Sequence, residues 1–124
     1  MDKNELVNML DVFGSQVVDL HQQLTSKRGK TVLANQLLRS GTSVGANISE
    51  ALRGQSERDF MAKMHIADKE AHETAYWLKL LKESNYIDDP DTYSRVYRNC
   101  MDLVRVTERI TDKDPNMRDW LERA

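Results

Sequence analysis

Three side chains with metal-ligating chemistry stand close together in the chain, at His65, Asp68 and His72. Positions i, i+3 and i+7 share one face of a helix, and imidazole with carboxylate suits zinc. The three residues span two helical turns, however, and the pattern specifies no fourth ligand. A di-iron bundle needs paired Glu-x-x-His elements, and neither Glu70 nor Glu73 has a histidine three positions later. The spacing therefore favours polar residues on an exposed or interface-edge helix face, and we predict no metal and no cofactor.

Glu73 and Glu70 precede Trp77 by one and two helical turns, so the three side chains share a face. Carboxylates in such a position can act as functional acids. More often they pair with a cation across an interface. The candidate cations are Lys63, Lys69 and Arg39.

Cys100 is the single cysteine. One cysteine makes no internal disulfide framework, which fits a reducing compartment. Cys100 lies on the apolar face of its predicted helix, and no histidine or acid is specified as its partner. We therefore predict a core thiol and no catalytic residue.

A basic stripe lies on the last predicted helix. Its members fall within an arc of about 80° on a helix, and they are Arg95, Arg98, Arg105, Arg109 and Lys113. Repeated around an oligomer, such a stripe could bind phosphates. The alternative is a solvated face, because Asp102 is spaced to pair with two of these arginines.

The overall charge gives no further support for nucleic-acid binding. The formal net charge is −2, so no global basic field is present. A second basic cluster, Lys27, Arg28 and Lys30, is predicted to be a solvated turn. No aromatic residue is interleaved with either cluster, so a single-strand stacking platform is not indicated.

The length of 124 residues fits a single domain. The chain is 40% hydrophobic and 31% charged, with only 2 prolines and 5 glycines, which favours long helices over many turns. The N-terminus lacks a signal pattern, and no apolar run approaches the ~20 residues of a membrane helix. We expect a cytoplasmic protein that does not contact a membrane.

The elements that position these residues are four amphipathic helices, since apolar residues recur at steps of three and four. The predicted ranges are about 4–25, 31–54, 57–84 and 90–112, with a short tail at 113–124. Gly29 is the expected stop of the first helix, and Thr31, Ser56 and Asp89 are expected caps. The predicted fold class is all-α, an up-down-up-down four-helix bundle.

The second helix carries a run of small residues at positions 40–47, SGTSVGAN. Gly41 and Gly45 share one face of the helix. Each glycine lowers the stability of a helix interior by roughly 1 kcal/mol relative to alanine. We interpret the run as a helix thinned for close approach of another backbone, with Ser43 and Asn47 at the edge of the contact. A leucine at Gly45 is therefore expected to damage folding or assembly.

The third helix has apolar residues on two sides. One face belongs to the core of the bundle. The second face consists of Ile66, Glu70, Glu73, Trp77 and Leu80. A partner subunit is the simplest cover for this second face.

Two stretches carry a family resemblance. Residues 36–51, QLLRSGTSVGANISEA, and residues 59–78, DFMAKMHIADKEAHETAYWL, are similar to the signature of bacterial four-helix-bundle proteins related to the 23S rRNA intervening-sequence protein. The resemblance implies a homopentamer of bundles around a five-fold axis. Some relatives are retroelement accessory proteins that associate with a reverse transcriptase and bind nucleic acid. Those relatives are strongly basic, whereas this chain is slightly acidic.

The function predicted at this point is a non-enzymatic scaffold or accessory protein that assembles with itself, with the pentamer as the expected state. Its composite surface would bind a protein or RNA partner. The alternative is a nucleic-acid-binding accessory protein, with RNA, DNA or a nucleic-acid enzyme as partner, that uses the basic stripe of the fourth helix.

Overall fold

A computed structural model describes residues 1–29 and 31–112, and it contains four helices in that part of the chain. They are α1 (Lys3–Arg28), α2 (Thr31–Leu52), α3 (Glu57–Glu83) and α4 (Pro90–Thr111). Among the residues described there is no strand, so the all-α prediction is confirmed. Some residues named above lie outside the described part: the predicted tail at 113–124 with Lys113, Lys30, and the side chains of Lys27 and Arg28.

Local side-chain chemistry sets the helix ends. Asp2, Ser56 and Asp89 are N-caps, and each accepts a backbone N–H with a side-chain oxygen at 2.9–3.1 Å. Pro90 follows Asp89 at the first helical position, where its missing N–H costs nothing. Gly29 ends α1 with a φ of 62°, the left-handed conformation that glycine adopts without strain. Ser56, Asp89 and Gly29 were predicted from the sequence, whereas the Asp2 cap was not.

Three predicted details of the helix ends are wrong. The first helix runs on to Arg28, and Gly29 caps its end. Thr25 and Ser26 stay within the helix, with their hydroxyls bonded to carbonyl oxygens of the preceding turn. Thr31 is the first residue of α2 and not a cap outside it. The second helix ends at Leu52, where the chain tightens into a turn as the Gly54 N–H donates to the Ala51 carbonyl at 3.0 Å.

Successive helices run antiparallel. Gly41 of α2 lies against Val17 of α1, and Gly45, further along α2, lies near the earlier residue Leu10. The order reverses in the same way between α2 and α3, where residue 40 meets residue 74 and residue 50 meets residue 63. This is the arrangement expected of an up-down-up-down bundle. The contact of α1 with α4 closes the bundle and is the least extensive.

The core lies along the axis between the helices. Every helix contributes apolar side chains with almost no exposure, including Leu6, Phe13, Val17, Leu37, Val44, Ile48, Met64, Leu78, Leu81, Leu103 and Ile110. Along each helix they recur at the helical spacing from which the four helices were predicted. No helix within the described ranges has the length and apolar character to cross a membrane.

Candidate functional site

The thinned run of α2 brings two helices close at Gly41. A Cβ built on Gly41 would lie 2.8 Å from Val17 Cγ1, well inside van der Waals contact. Gly41 and Val17 are both buried. The close approach predicted for the small-residue run is therefore present between α1 and α2 of the same chain.

Gly45 has a different environment. A Cβ on Gly45 would meet only Leu10 Cβ, at 3.9 Å, which is an ordinary contact. Gly45 and Gly14 line a shallow groove on the outer side of α1 and α2. Packing within the chain does not require glycine at position 45, so the predicted importance of Gly45 for close packing is not found there. Its role in assembly stays a prediction.

Ser40 supplies the polar contact between α2 and α3. Its Oγ lies 2.9 Å from Thr74 Oγ1, and both side chains are completely buried. Ser43 and Asn47 do not reach α3 in this way. Asn47 Nδ2 donates back to the Ser43 carbonyl and hydroxyl, both at 2.9 Å, so the pair is satisfied within its own helix.

The second face of α3 is joined to α2 by an ion network. Arg39 binds Glu70, with Nη1 and Oε2 3.1 Å apart, and it also pairs with Glu73. Glu73 in turn accepts a hydrogen bond from Trp77 Nε1 at 3.0 Å. Of the three cations considered from the sequence, Arg39 is the partner, and it belongs to the same chain.

Apolar groups flank this network along α3. Ile66 is 43% exposed, and the Tyr76 ring, 58% exposed, makes an edge contact with the Trp77 ring at 5.2 Å between centroids. Leu80 and Trp77 are half-buried. We call this surface the α2–α3 face, defined by Arg39, Ile66, Glu70, Glu73, Tyr76, Trp77 and Leu80.

The basic stripe lies on the solvent side of α4. Arg95, Arg98, Arg105 and Arg109 are all exposed. Arg105 pairs with Asp102, as the solvated-face alternative predicted. Arg105 and Arg109 also border a groove of about 840 Å³ between α1 and α4, whose apolar lining includes Met9 and Val12.

The candidate ligands His65, Asp68 and His72 do not all converge. The residues that converge are Asp68, His72 and Glu108, whose ligand atoms all lie within 4.8 Å of one another. His72 Nδ1 lies 2.8 Å from the Asp68 carbonyl oxygen, and Nε2 lies 2.7 Å from Glu108 Oε1. Thr107 Oγ1 lies 2.9 Å from Asp68 Oδ1.

Sequence reasoning missed Glu108 because it stands 36 residues from His72, on another helix. Local spacing carries no signal for such a pair. The backbone hydrogen bond to Asp68 is the main influence on the imidazole and raises the pKa of His72, with Glu108 adding in the same direction. Both ring nitrogens face acceptor oxygens, an arrangement that the protonated ring satisfies fully.

Cys100 is buried in the core, as predicted from its position on the apolar face of α4. Burial raises the pKa of its thiol to about 12, so the thiolate is suppressed at neutral pH. The Sγ lies 3.5 Å from the Ala71 carbonyl oxygen. A buried neutral thiol is inert as a nucleophile.

Comparison with known proteins supports the family resemblance found in the sequence. A family model described as the 23S rRNA-intervening sequence protein matches residues 3–116. A solved structure from Bacteroides thetaiotaomicron, described as a protein with unknown function from the S23 ribosomal protein family, is 37% identical in sequence. It aligns with a TM-score of 0.80 over 85% of this chain and 96% of that chain. No curated protein matches this sequence.

Proposed function

Since this chain belongs to the 23S rRNA-intervening sequence protein family, we propose that it is a non-enzymatic, cytoplasmic scaffold or accessory protein that assembles with copies of itself. The assembly presents a composite surface to a protein or RNA partner. We expect a pentamer, because the family resemblance implies bundles arranged around a five-fold axis.

The observation that carries the proposal is the chemistry of the α2–α3 face. Its carboxylates, Glu70 and Glu73, already have a cation in Arg39, and the Trp77 N–H already has an acceptor. A second protein surface can cover such a face without leaving a buried charge unpaired, which would cost several kcal/mol. Exposed apolar groups, among them Ile66, lie beside the network. Their burial in an interface is favourable because it removes apolar surface from water.

Native mass spectrometry of the purified protein tests the assembly. We expect an oligomer, and we expect Ile66→Asp to shift it toward monomer, because the change places a charge in the interface. Ile66 is 43% exposed, so the substitution costs the isolated fold little.

The matched control is Val12→Asp, which changes a residue 52% exposed on α1, away from the α2–α3 face. This variant is expected to keep the wild-type mass. A monomeric wild type at micromolar concentration would rule out self-assembly. Equal dissociation of both variants would show that the interface lies elsewhere.

A second candidate function is nucleic-acid binding through the stripe on α4. It is favoured by the arrangement of four exposed arginines on one side of the helix. Binding of this kind releases counterions and falls steeply with added salt. We expect Arg98→Ala to weaken binding to a mixed RNA probe at low salt and to reduce the salt slope by about 1.

Lys79→Ala serves as the control for charge alone, since Lys79 is an exposed cation on α3. It should leave the affinity for RNA unchanged. Absence of binding, or binding that does not respond to salt, would exclude this function. Equal weakening in both variants would point to net charge and not to the stripe.

A further inference from the structure

We propose that Asp68, His72 and Glu108 form a binding site for a divalent transition-metal ion, of which Zn²⁺ is the best match, where α3 meets α4. Each residue offers one ligand atom, and these atoms lie within 4.8 Å of one another. Asp68 and His72 are four residues apart on α3 and share a helix face. Glu108 approaches from the facing helix and closes the site.

The imidazole is oriented for this role. His72 Nδ1 lies 2.8 Å from the Asp68 carbonyl oxygen, so the N–H at Nδ1 donates to the backbone. A histidine that binds metal commonly donates its other ring N–H to such an acceptor, which fixes the ring and the tautomer. Nε2 lies 2.7 Å from Glu108 Oε1, within hydrogen-bond distance, so a bound ion would take the place of the proton between these two atoms.

The first carboxylate is also held in place. Thr107, a buried residue of α4, has its hydroxyl 2.9 Å from Asp68 Oδ1. Hydrogen bonds to ligand carboxylates are typical supports of metal sites. The site therefore has ligands from two helices, and Thr107 ties the helices together beside it.

Charge and ligand type select the class of ion. With His72 neutral at Nε2, the two carboxylates give the site a charge of −2, which a divalent cation balances. The proton that leaves Nε2 goes to solvent as the ion binds. One nitrogen with two oxygens suits Zn²⁺ or Co²⁺, whereas Mg²⁺ and Ca²⁺ prefer oxygen alone.

Binding requires the two carboxylates to shift. Ligand atoms about 2.0–2.2 Å from Zn²⁺ lie roughly 3.4 Å apart in a tetrahedron. Glu108 Oε1 must therefore move back from Nε2, which is 2.7 Å away, and the Asp68 carboxylate, whose Oδ1 lies 3.7 Å from Nδ1, must turn toward Nε2. The side chains of His72 and Glu108 are 49% and 48% exposed and have room for these adjustments. The same exposure leaves a coordination position for water.

The test is a titration of chelator-treated protein with ZnCl₂ in a calorimeter. We expect one ion per chain, and we expect His72→Gln and Glu108→Gln each to weaken binding at least about 10-fold, as loss of support alone does at known sites. The control is His65→Gln, which removes an exposed imidazole seven residues earlier on the same helix and should leave the affinity unchanged. MgCl₂ should give no heat of binding.

Co²⁺ supplies a second readout. Bound at this site, it should develop visible absorption bands that Zn²⁺ abolishes and that His72→Gln never shows. Circular dichroism checks that the variants keep their helix content.

Absence of Zn²⁺ binding in the wild type would overturn the proposal and leave the cluster as an ion pair only. Affinity unchanged in His72→Gln, or lost in His65→Gln, would overturn it equally. Stoichiometry is counted per chain, so the result does not depend on self-assembly.

Discussion

Gly41 of α2 and Val17 of α1 are so close that a Cβ on Gly41 would lie 2.8 Å from Val17 Cγ1 and 2.9 Å from Cγ2. Val17 has no exposed surface, and its branched side chain has one strongly preferred rotamer in a helix. The two methyl groups therefore have no free space to move into. This contact sets the separation of α1 and α2.

Gly41→Ala is expected to lower the free energy of unfolding by about 1 kcal/mol. Overpacking of a core costs about 1–3 kcal/mol, and the better helix propensity of alanine offsets roughly 1 of it. Urea unfolding followed by circular dichroism measures the change. Adding Val17→Ala to Gly41→Ala should remove the clash and give a measurable coupling between the two sites. A Gly41→Ala variant more stable than wild type would contradict the close approach.

Gly45→Ala should have the opposite effect. The added Cβ meets only Leu10 Cβ at 3.9 Å, so the helix gains propensity without strain, and the midpoint of urea unfolding should rise by the equivalent of about 0.5–1 kcal/mol. The same variant examined by native mass spectrometry separates folding from assembly. Loss of the oligomer with a stable fold would place Gly45 in a subunit interface. A drop in stability of the monomeric fold would contradict the open environment.

The buried hydroxyl pair of Ser40 and Thr74 should be sensitive to loss of one partner. Thr74→Val keeps the shape of the side chain but leaves Ser40 Oγ with only the Leu37 carbonyl oxygen, at 3.4 Å. An unsatisfied buried polar group costs about 1–3 kcal/mol, so the free energy of unfolding should fall by about that amount. The double variant Ser40→Ala, Thr74→Val should recover part of the lost free energy of unfolding. A double-mutant cycle measures this coupling. Additive losses would show that the pair is not coupled.

Cys100 should resist thiol reagents while the protein is folded. Burial raises the pKa of the thiol to about 12, and only the thiolate reacts. At about pH 8 the reaction with a disulfide reagent should therefore be orders of magnitude slower in the native protein than in denaturant. The colour released by the reagent gives the rate. A native rate equal to the unfolded rate would mean that the thiol is exposed.

Asp89 should make part of the folding stability depend on pH. Its hydrogen bonds from Thr92 Oγ1 and the Asp91 N–H lower the pKa of the carboxyl below its usual 3.8. A group with a lowered folded pKa stabilises the fold above its unfolded pKa, and this contribution disappears as the pH falls through the folded pKa.

Asp89→Asn keeps a capping oxygen but does not titrate. We therefore expect the stability difference between Asp89→Asn and wild type to shrink between about pH 5 and about pH 2. Thermal unfolding at both pH values measures it. A difference that stays constant with pH would exclude the carboxylate as the source.

Much of the fold was readable from local patterns. Apolar spacing predicted the buried faces of all four helices, because a side chain's direction on a helix follows directly from its position in the sequence. The cap residues Ser56 and Asp89 and the stop at Gly29 were also correct, since each acts on backbone groups within three residues. Errors arose where residues of mixed preference, such as Thr25, could either end a helix or continue it.

The family was also recognisable, because the small-residue run and the third helix carry a specific pattern. Local spacing could not assign partners to individual side chains. It offered three cations for Glu70 and Glu73, and only the packing of α2 on α3 selects Arg39.

The sequence alone determined which residues form helices, which faces are apolar and which family the chain resembles, since these depend on local periodicity and residue type. Tertiary structure decided that Gly41 and not Gly45 is pressed against a neighbouring helix. It also decided that His72 meets Glu108 and not His65. The physical reason is that the axial register and rotation of each helix are set by packing of the whole core. Such pairings between distant residues leave no trace in local spacing.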